Sequence, residues 1–584
     1  MAPDAEDVGA DADDALPDEG DAGGDAADVA TDGDVAPAEI RFRLAYAHDE
    51  PAQSAAVIDW DWDGDLDVVV AANSQIHLLR NAPSGWEVAQ TVTVDRAKGF
   101  GLFDYDGDGH LDVHIAQPEF AEGGGDEGRD DVWLTDGSAN VAVAGFGNEQ
   151  LGVCRTVVFA DLNLDGRVDS LHVNSQFRDN HFPCELHLGT GGGFDPENRI
   201  DDLVGPEFWR TWIDPIRAGC GGEYWAAKQY KGAVARDFDR DGRPDVALVA
   251  WADPASPDED CDLGGGANAY IDWIHRSPRG LWVLANASEP GRLRFEEVPE
   301  SDFAPQASLG AVRGTTGEVW NPYTVVPMDW DRDGDLDLFV LGRQRYYDPT
   351  RSWEDTPILR LFRNDSEIGR IRFAEVTEAS GLDWLNRLDY ATERKEHHFS
   401  SGVPMDIDND GYVDLLASNR RDTGAVSAAY VHVFRGFGDG TFAFVPADGV
   451  GLDGMSNDLT YGDLDGDGAL DLVVADDDDG RQSRIYLNAT APVGRWIALD
   501  VRDAATGTFA FGARVTVHPP GTSTVLGTDE VQSDFSYRGK RTPILHFGLG
   551  SVDSVDVHVV RPNGGGEQWF RGLAAGAVRT VTLP

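Results

Sequence analysis

Aspartates recur along the chain at one spacing. Asp59, Asp61, Asp63 and Asp67 occupy places one, three, five and nine of a nonamer whose sixth residue is Gly64. The same pattern returns at Asp104, Asp106, Asp108 and Asp112, at Asp161, Asn163, Asp165 and Asp169, and at Asp237, Asp239, Asp241 and Asp245. It returns again at Asp329, Asp331, Asp333 and Asp337, at Asp406, Asp408, Asp410 and Asp414, and at Asp463, Asp465, Asp467 and Asp471. Asn163 is the one departure from Asp at these places. Hard oxygen ligands at alternate positions, a glycine where the chain must turn sharply and a closing carboxylate describe a calcium loop. Seven loops imply up to seven structural Ca²⁺ ions. The seventh places hold Asp65, His110, Arg167, Arg243, Asp335, Tyr412 and Ala469. Such tolerance fits a ligand that contributes only its backbone carbonyl.

The elements that position these loops are strands. An EF-hand needs a bidentate Glu at place twelve and a helix on each side, but place twelve is Val70 in the first copy and Val474 in the last. The flanks Val68-Val69-Val70 and Leu472-Val473-Val474 are short, apolar and rich in β-branched residues. Each repeat has an apolar strand into the loop, a second strand out, a third such as Ile76–Asn81 and a fourth carrying an aromatic such as Phe295. Four short strands per unit make a propeller blade, and seven units make a closed ring. The last unit lacks a fourth strand. Residues 40–46 have the character of one, so pairing them with 484–488 would close the ring and remove both sheet edges.

The chain has 584 residues and a formal charge of −57. Seven Ca²⁺ ions would supply +14 and leave −57 + 14 = −43. No basic field meets phosphates, which excludes nucleic acid as a partner. No apolar run approaches the roughly 18 residues that span a membrane. Residues 1–39 are mostly Asp, Ala and Gly, with no Lys or Arg, and read as a disordered acidic tail. The start Met1-Ala2-Pro3 shows no leader, which implies a trimmed or processed beginning to a secreted or surface-tethered monomer.

Two resemblances follow from these motifs. The seven units resemble the FG-GAP/VCBS repeats of integrin-α-like propellers, and 435–442 (RGFGDGTF) resembles their third-to-fourth hairpin. The tail, with 511–517 (FGARVTV), 546–550 (HFGLG) and 557–564 (VHVVRPNG), resembles the ASPIC/UnbV domain. The combination is similar to the cartilage acidic protein family and its bacterial relatives. The expected architecture is all-β: a tail over 1–39, a seven-bladed propeller over 40–492 and a small β-sandwich over 493–584. Long insertions in units three to five depart from the family pattern.

Within a blade the Asp loop joins strands one and two, so the second-to-third and fourth-to-first connections share the opposite rim. That rim collects Trp209, Trp212, Tyr224, Trp225, Trp273, Trp320, Arg345, Tyr346, Tyr347, His397 and His398. Aromatics beside arginines suit a glycan or an acidic protein ligand, and they also suit small cores of long loops. His397-His398, taken as loop residues near Glu393 and Glu396, admit a metal or acid–base reading. The same blade logic puts Cys154 and Cys184 on one blade and Cys220 and Cys261 on the next. Of three possible pairings, only Cys154–Cys184 with Cys220–Cys261 keeps each disulfide within a blade. The sequence favours a calcium-stabilised binding or adhesion module. A polysaccharide-cleaving enzyme and a structural matrix protein are the alternatives. No Gly-x-Ser-x-Gly, His-Glu-x-x-His or phosphate-loop motif is present.

Overall fold

The computed structural model describes residues 39–584 apart from 73, 95–96, 117–129, 138–141, 146–152, 176–184, 191–192, 201–228, 252–279, 305–316, 348–353, 383–396, 422–430, 447–448, 453–456, 477–481, 492–493 and 536. The acidic tail lies outside the described residues.

Seven antiparallel sheets follow one another along the chain. The first contains Ser54–Ile58, Asp67–Ala72, Gln75–Ala82 and Gly85–Thr93 in sequence order. The second runs Gly99–Phe103, Asp112–Ala116, Asp131–Leu134 and Ala142–Gly145. Val153–Ala160, Asp169–Ser175, Glu185–Thr190 and Gly193–Ile200 form the third. Gln229–Arg236, Asp245–Trp251, Leu281–Asn286 and Phe295–Glu297 form the fourth. The sixth contains His397–Met405, Asp414–Arg421, His432–Phe437 and Thr441–Val445. In every blade the Asp loop joins strands one and two. These strands are apolar on both faces because each sheet is sandwiched between its neighbours, and Val57, Val68 and Val69 are fully buried.

Two blades depart from this plan. Blade five has longer strands, Gly317–Met328, Asp337–Tyr347 and Glu354–Asn364, before Phe373–Glu375. A short parallel strand, Phe303–Ala304, adds a fifth member at its outer edge. Blade seven, Asp458–Gly462, Asp471–Ala475 and Ser483–Asn488, takes its fourth strand from Phe42–His48 near the start of the chain. Phe42 pairs with Asn488 and His48 with Ser483, with a bulge between Leu44 and Tyr46. The ring is therefore closed by the segment that the sequence offered, two residues later than expected.

The C-terminal domain is a sandwich. A three-stranded sheet places Arg495–Asp503 between Leu545–Gly550 and Val578–Leu583. A four-stranded sheet orders Gly527–Glu530, Arg514–His518, Ser554–Val560 and Glu567–Ala574. Alternating residues fill the gap between the sheets. Ile497, Leu499 and Val501 face Val515, Val517, Val555 and Val557, and the cluster continues into blades one and two.

Residues 532–535 and 537–542 of the sandwich enter the axis of the ring. They touch the first, innermost strand of six blades. Lys540 forms a parallel bridge with Ala56 in blade one, and its Nζ donates to Thr156 Oγ1 in blade three at 2.8 Å. Ser533 Oγ donates to Leu102 O in blade two. Arg236 in blade four donates to Asp534 Oδ1 at 3.0 Å and to its carbonyl at 2.6 Å. Tyr537 meets Tyr323 of blade five edge-on, and Thr460 of blade seven donates to Lys540 O. The sequence reading did not foresee this plug.

Candidate metal centre

The seven Asp loops share one backbone course. The sixth-place glycines have φ between +87° and +95°. A second left-handed residue stands at the fourth place: Trp62, Leu164, Arg240, Arg332 and Asn409 have φ of 54° to 60°, and Gly107 and Gly466 hold it in the other two loops. Side chains impose this course. The first Asp accepts the N–H of the sixth residue, as Asp104 does from Gly109 at 2.8 Å and Asp237 from Gly242 at 2.9 Å. The fifth accepts the N–H of the seventh, as Asp108 does from His110 and Asp467 from Ala469.

The closing Asp reaches further. Asp337 Oδ1 accepts from the backbone N–H of Asn364 on the third strand, and Oδ2 from that of Trp330 inside the loop. Asp112, Asp169, Asp245, Asp414 and Asp471 repeat both bonds. Each loop is thereby tied to its own blade.

The donor set fits a hard divalent cation. Buried oxygens of Asp59, Asp61 and Asp67 in loop one, and of Asp329, Asp406 and Asp463 at the first places of loops five to seven, have no hydrogen-bond partner. A buried carboxylate oxygen left bare is costly, and a cation at the loop centre would supply what is missing. Burial, and after it the neighbouring carboxylates, pushes Asp67, Asp329 and Asp471 up to about 8. Asp112 and Asp169 rise to about 7 and Asp237, Asp239, Asp408 and Asp463 to about 6, again chiefly by burial. A bound Ca²⁺ would be held by the carboxylates of places one, three, five and nine and the seventh carbonyl, and would neutralise them. Arginines already pair with some loop carboxylates: Arg167 with Asp165, Arg243 with Asp241, Arg80 with Asp61, and Arg435 with Asp408, lying 3.2 Å from Asp410.

The seventh place does more than lend a carbonyl. At three junctions the fourth residue of one loop packs on the seventh of the next. Trp62 stacks on His110 with centroids 3.7 Å apart, Arg240 pairs with Asp335 at 2.8 Å, and Arg332 lies 3.7 Å over the Tyr412 ring. At these three junctions the seventh residue is matched to a side chain of the neighbouring blade.

A third-strand asparagine adds a second tie between blades. Asn364 Nδ2 donates to Leu336 O of its own loop at 3.0 Å and to Phe238 O of the preceding loop at 2.8 Å. Asn81, Asn286 and Asn488 do the same. Asn286, Asn364 and Asn488 each end a third strand and Asn81 stands one residue before the end of its own, and that recurrence was the available signal.

The sandwich sits on the Asp-loop rim. Asn563 Nδ2 donates to Asp161 Oδ2 at 2.5 Å, and its backbone N–H donates to Gly242 O. Arg502 donates to Gly109 O, Arg514 to Asp237 O and Gly334 O, and His546 meets Gly468 O. The N–H groups of Gly494 and Gly550 donate to Asp408 O and Asn409 O. Loops two to seven all take part. A cavity of about 390 Å³ remains between rim and sandwich, lined in part by Asp329, Asp406, Asp463, Arg541 and His546. Burial holds the His546 imidazole down at about 4.

The expected ligand face is only partly described. Trp209, Trp212, Tyr224, Trp225 and Trp273 lie outside the described residues. Trp320, Arg345, Tyr346 and Tyr347 fall where the long first and second strands of blade five end, remote from loop 329–337, with Val319 opposite Arg345. His397 and His398 pair with Arg421 and Arg420 at the corresponding end of blade six. They are strand residues, not loop residues as the sequence implied, because the blade-six strands extend past the ring core. Cys184, Cys220 and Cys261 lie outside the described residues, as does the side chain of Cys154, so the pairing stays an expectation. Among the described residues no helix is long and apolar enough to cross a membrane.

Comparison with known proteins agrees with the two-part architecture. A model of the FG-GAP-like repeat matches residues 59–115 and 406–474, and a model named ASPIC and UnbV matches 503–583. Cartilage acidic protein 1 of Xenopus tropicalis is 24% identical over 262 residues, covering 43% of this chain and 35% of that protein. The Homo sapiens protein is 23% identical over 262 residues, covering 43% and 34%. The chain thus spans about a third of the length of these curated relatives. Among solved structures, the V. cholerae biofilm matrix protein Bap1 overlaps loosely, at TM-score 0.36 and 10% identity, over 87% of this chain and 100% of that one. Saccharomyces cerevisiae Sqt1 overlaps at TM-score 0.34 and 9% identity, over 78% and 100%. The chain is a propeller containing FG-GAP-like repeats joined to an ASPIC and UnbV domain, with weak similarity to cartilage acidic protein 1.

Proposed function

We propose that the chain is an extracellular, calcium-loaded binding module that offers the rim opposite its Asp loops to a glycan or protein ligand. The seat of the sandwich supports this reading best. It occupies the Asp-loop rim, with contacts to loops two to seven, and leaves the opposite rim as the face for a partner. That rim receives the strand ends carrying Trp320, Arg345, Tyr346, Tyr347, His397 and His398. Calcium has a structural part: it holds the blades in register and does not touch the ligand. The modules themselves, FG-GAP-like repeats and an ASPIC and UnbV domain, fit an extracellular adhesion-type or binding role.

A glycan array and a panel of extracellular matrix proteins, probed in calcium and in chelator, test the proposal. Binding should require calcium and should fall at least tenfold when Arg345, Tyr346 and Tyr347 are replaced by alanine. Binding indifferent to both changes would overturn it. No binding at all would favour a matrix protein. Release of unsaturated product from an acidic polysaccharide would favour the enzyme.

A further inference from the structure

We propose that His114, Asp130 and His172 form a second kind of metal site, sealed between blades two and three, that takes a borderline d-block cation of the zinc class. His114 is on the second strand of blade two, opposite Gly101 and Val132. Asp130 immediately precedes the third strand of that blade. His172 is on the second strand of blade three, opposite Val157 and Glu185. All three side chains are fully buried.

Their atoms converge. Asp130 Oδ2 lies 2.8 Å from His114 Nε2 and 3.2 Å from His172 Nδ1, and the three atoms lie within 4.8 Å of one another. Ligands about 2.0–2.1 Å from a tetrahedral zinc ion sit roughly 3.3 Å apart, so small side-chain shifts suffice. The far nitrogen of each imidazole meets an oxygen: His114 Nδ1 is 2.7 Å from Tyr105 Oη, and His172 Nε2 is 2.8 Å from Ser170 Oγ. An oxygen on the distal ring nitrogen is the outer shell that orients a metal-bound histidine. His187, with its ring centroid 4.7 Å from that of His172 and also buried, is the adjacent candidate for a fourth ligand.

A plain hydrogen-bonded network is the competing account. Two observations favour the metal. Two nitrogens and a carboxylate oxygen from two blades meet at one fully buried point, and the distal nitrogen of each imidazole already has an oxygen beside it. The seam also lacks the asparagine clamp of blades one, four, five and seven: the third strand of blade three has Gly189 as the partner of Asp169, as blades two and six have Thr135 and Gly436. A cation held from both blades would do the work of the missing clamp. Two nitrogens and one carboxylate select a borderline metal, whereas the all-oxygen Asp loops select calcium, so neither ion displaces the other.

The test uses the full chain, refolded with zinc and excess calcium and then dialysed against calcium alone. Elemental analysis should find one zinc per chain, and cobalt in its place should give the visible absorption of a nitrogen–oxygen tetrahedral site. His172→Gln should abolish retention. Ser170→Ala and Tyr105→Phe, which keep the ligands and the packing, should weaken zinc binding about 10–100-fold. Folded wild-type protein without zinc would overturn the proposal, as would zinc retained equally by a folded His172→Gln variant. If His172→Gln fails to fold, the wild-type stoichiometry and the Ser170→Ala affinity decide the question, and unchanged affinity counts against the site.

Discussion

Asp329→Asn should change sign with calcium. Asp329 opens loop five, is nearly fully buried and has one bare carboxylate oxygen. Burial, then Asp333 and Asp331, raises its carboxyl from 3.8 to about 8. A carboxyl whose folded value lies above its unfolded value stabilises the fold below the unfolded value and loses that contribution as pH rises toward the folded one. At pH 7 the metal-free loop holds a proton against a drive of roughly 7 − 3.8 ≈ 3 pH units, on the order of 4 kcal/mol as an upper bound. Asparagine keeps the shape and carries no charge. In chelator at pH 7 the variant should therefore be more stable than the wild type by about 1–4 kcal/mol, and the gap should close by pH 4. In excess calcium the order should reverse, because the variant has lost a ligand and the linkage stabilisation that goes with it. Urea unfolding at pH 4, 5.5, 7 and 8, with calcium or chelator, measures all four limits. A variant less stable than wild type in both media would refute the reasoning, as would a wild type whose metal-free stability rises between pH 5 and 8.

Asn364→Ala should cost about 2–4 kcal/mol in urea unfolding, because it strips donors from the buried Phe238 and Leu336 carbonyls in two neighbouring loops. Removal of residues 1–38 should leave the melting temperature unchanged, whereas removal of 1–48 should free the Ser483–Asn488 edge and produce aggregates on size exclusion. Arg236→Ala should destabilise the protein by about 3–5 kcal/mol, since it removes the cationic partner of the buried Asp534; thermal unfolding reads the loss. Non-reducing peptide mapping should find Cys154 joined to Cys184 and Cys220 to Cys261, each bond contributing about 3–4 kcal/mol.

The ring was legible because its determinants are local. Asp spacing, the sixth-place glycine and the following apolar strand each fall within a dozen residues. The fourth blade-seven strand was legible because the deficit at one end of the ring matched a spare strand at the other. What escaped the reading was pairwise. Trp62 and His110 stand in different repeats, and only the ring brings the fourth place of one loop against the seventh of the next. Asn81 and Leu464 are likewise joined only by closure. The plug was hidden for a different reason: Ser533, Asp534, Arg538 and Lys540 are polar, and nothing in their local pattern marks a buried segment. Their partners are first-strand backbone and side-chain groups that point into a channel no single blade possesses.

If the Asp loops hold calcium as proposed, the ions, the blades and the docked sandwich are thermodynamically linked. The sandwich docks largely on carbonyl oxygens of Gly109, Gly242, Gly334, Asp408, Asn409 and Gly468, all inside the Asp loops. The directions of those carbonyls depend on left-handed residues at places four and six, which the loop carboxylates hold in position. A cation that organises the carboxylates therefore organises the docking surface too. Linkage makes the effect reciprocal: whatever calcium contributes to seating the sandwich, the seated sandwich returns as tighter calcium binding. The plug adds a second anchor along the axis, through Arg236 with Asp534 and Lys540 with Thr156. Its contacts are with the inner strands and do not pass through the loops. Loss of calcium should thus loosen the rim before it releases the axis: in chelator, hydrogen exchange should rise first at the loop-docked segments around Arg502, Arg514 and Gly550 and later at 537–542, and the reverse order would refute the argument.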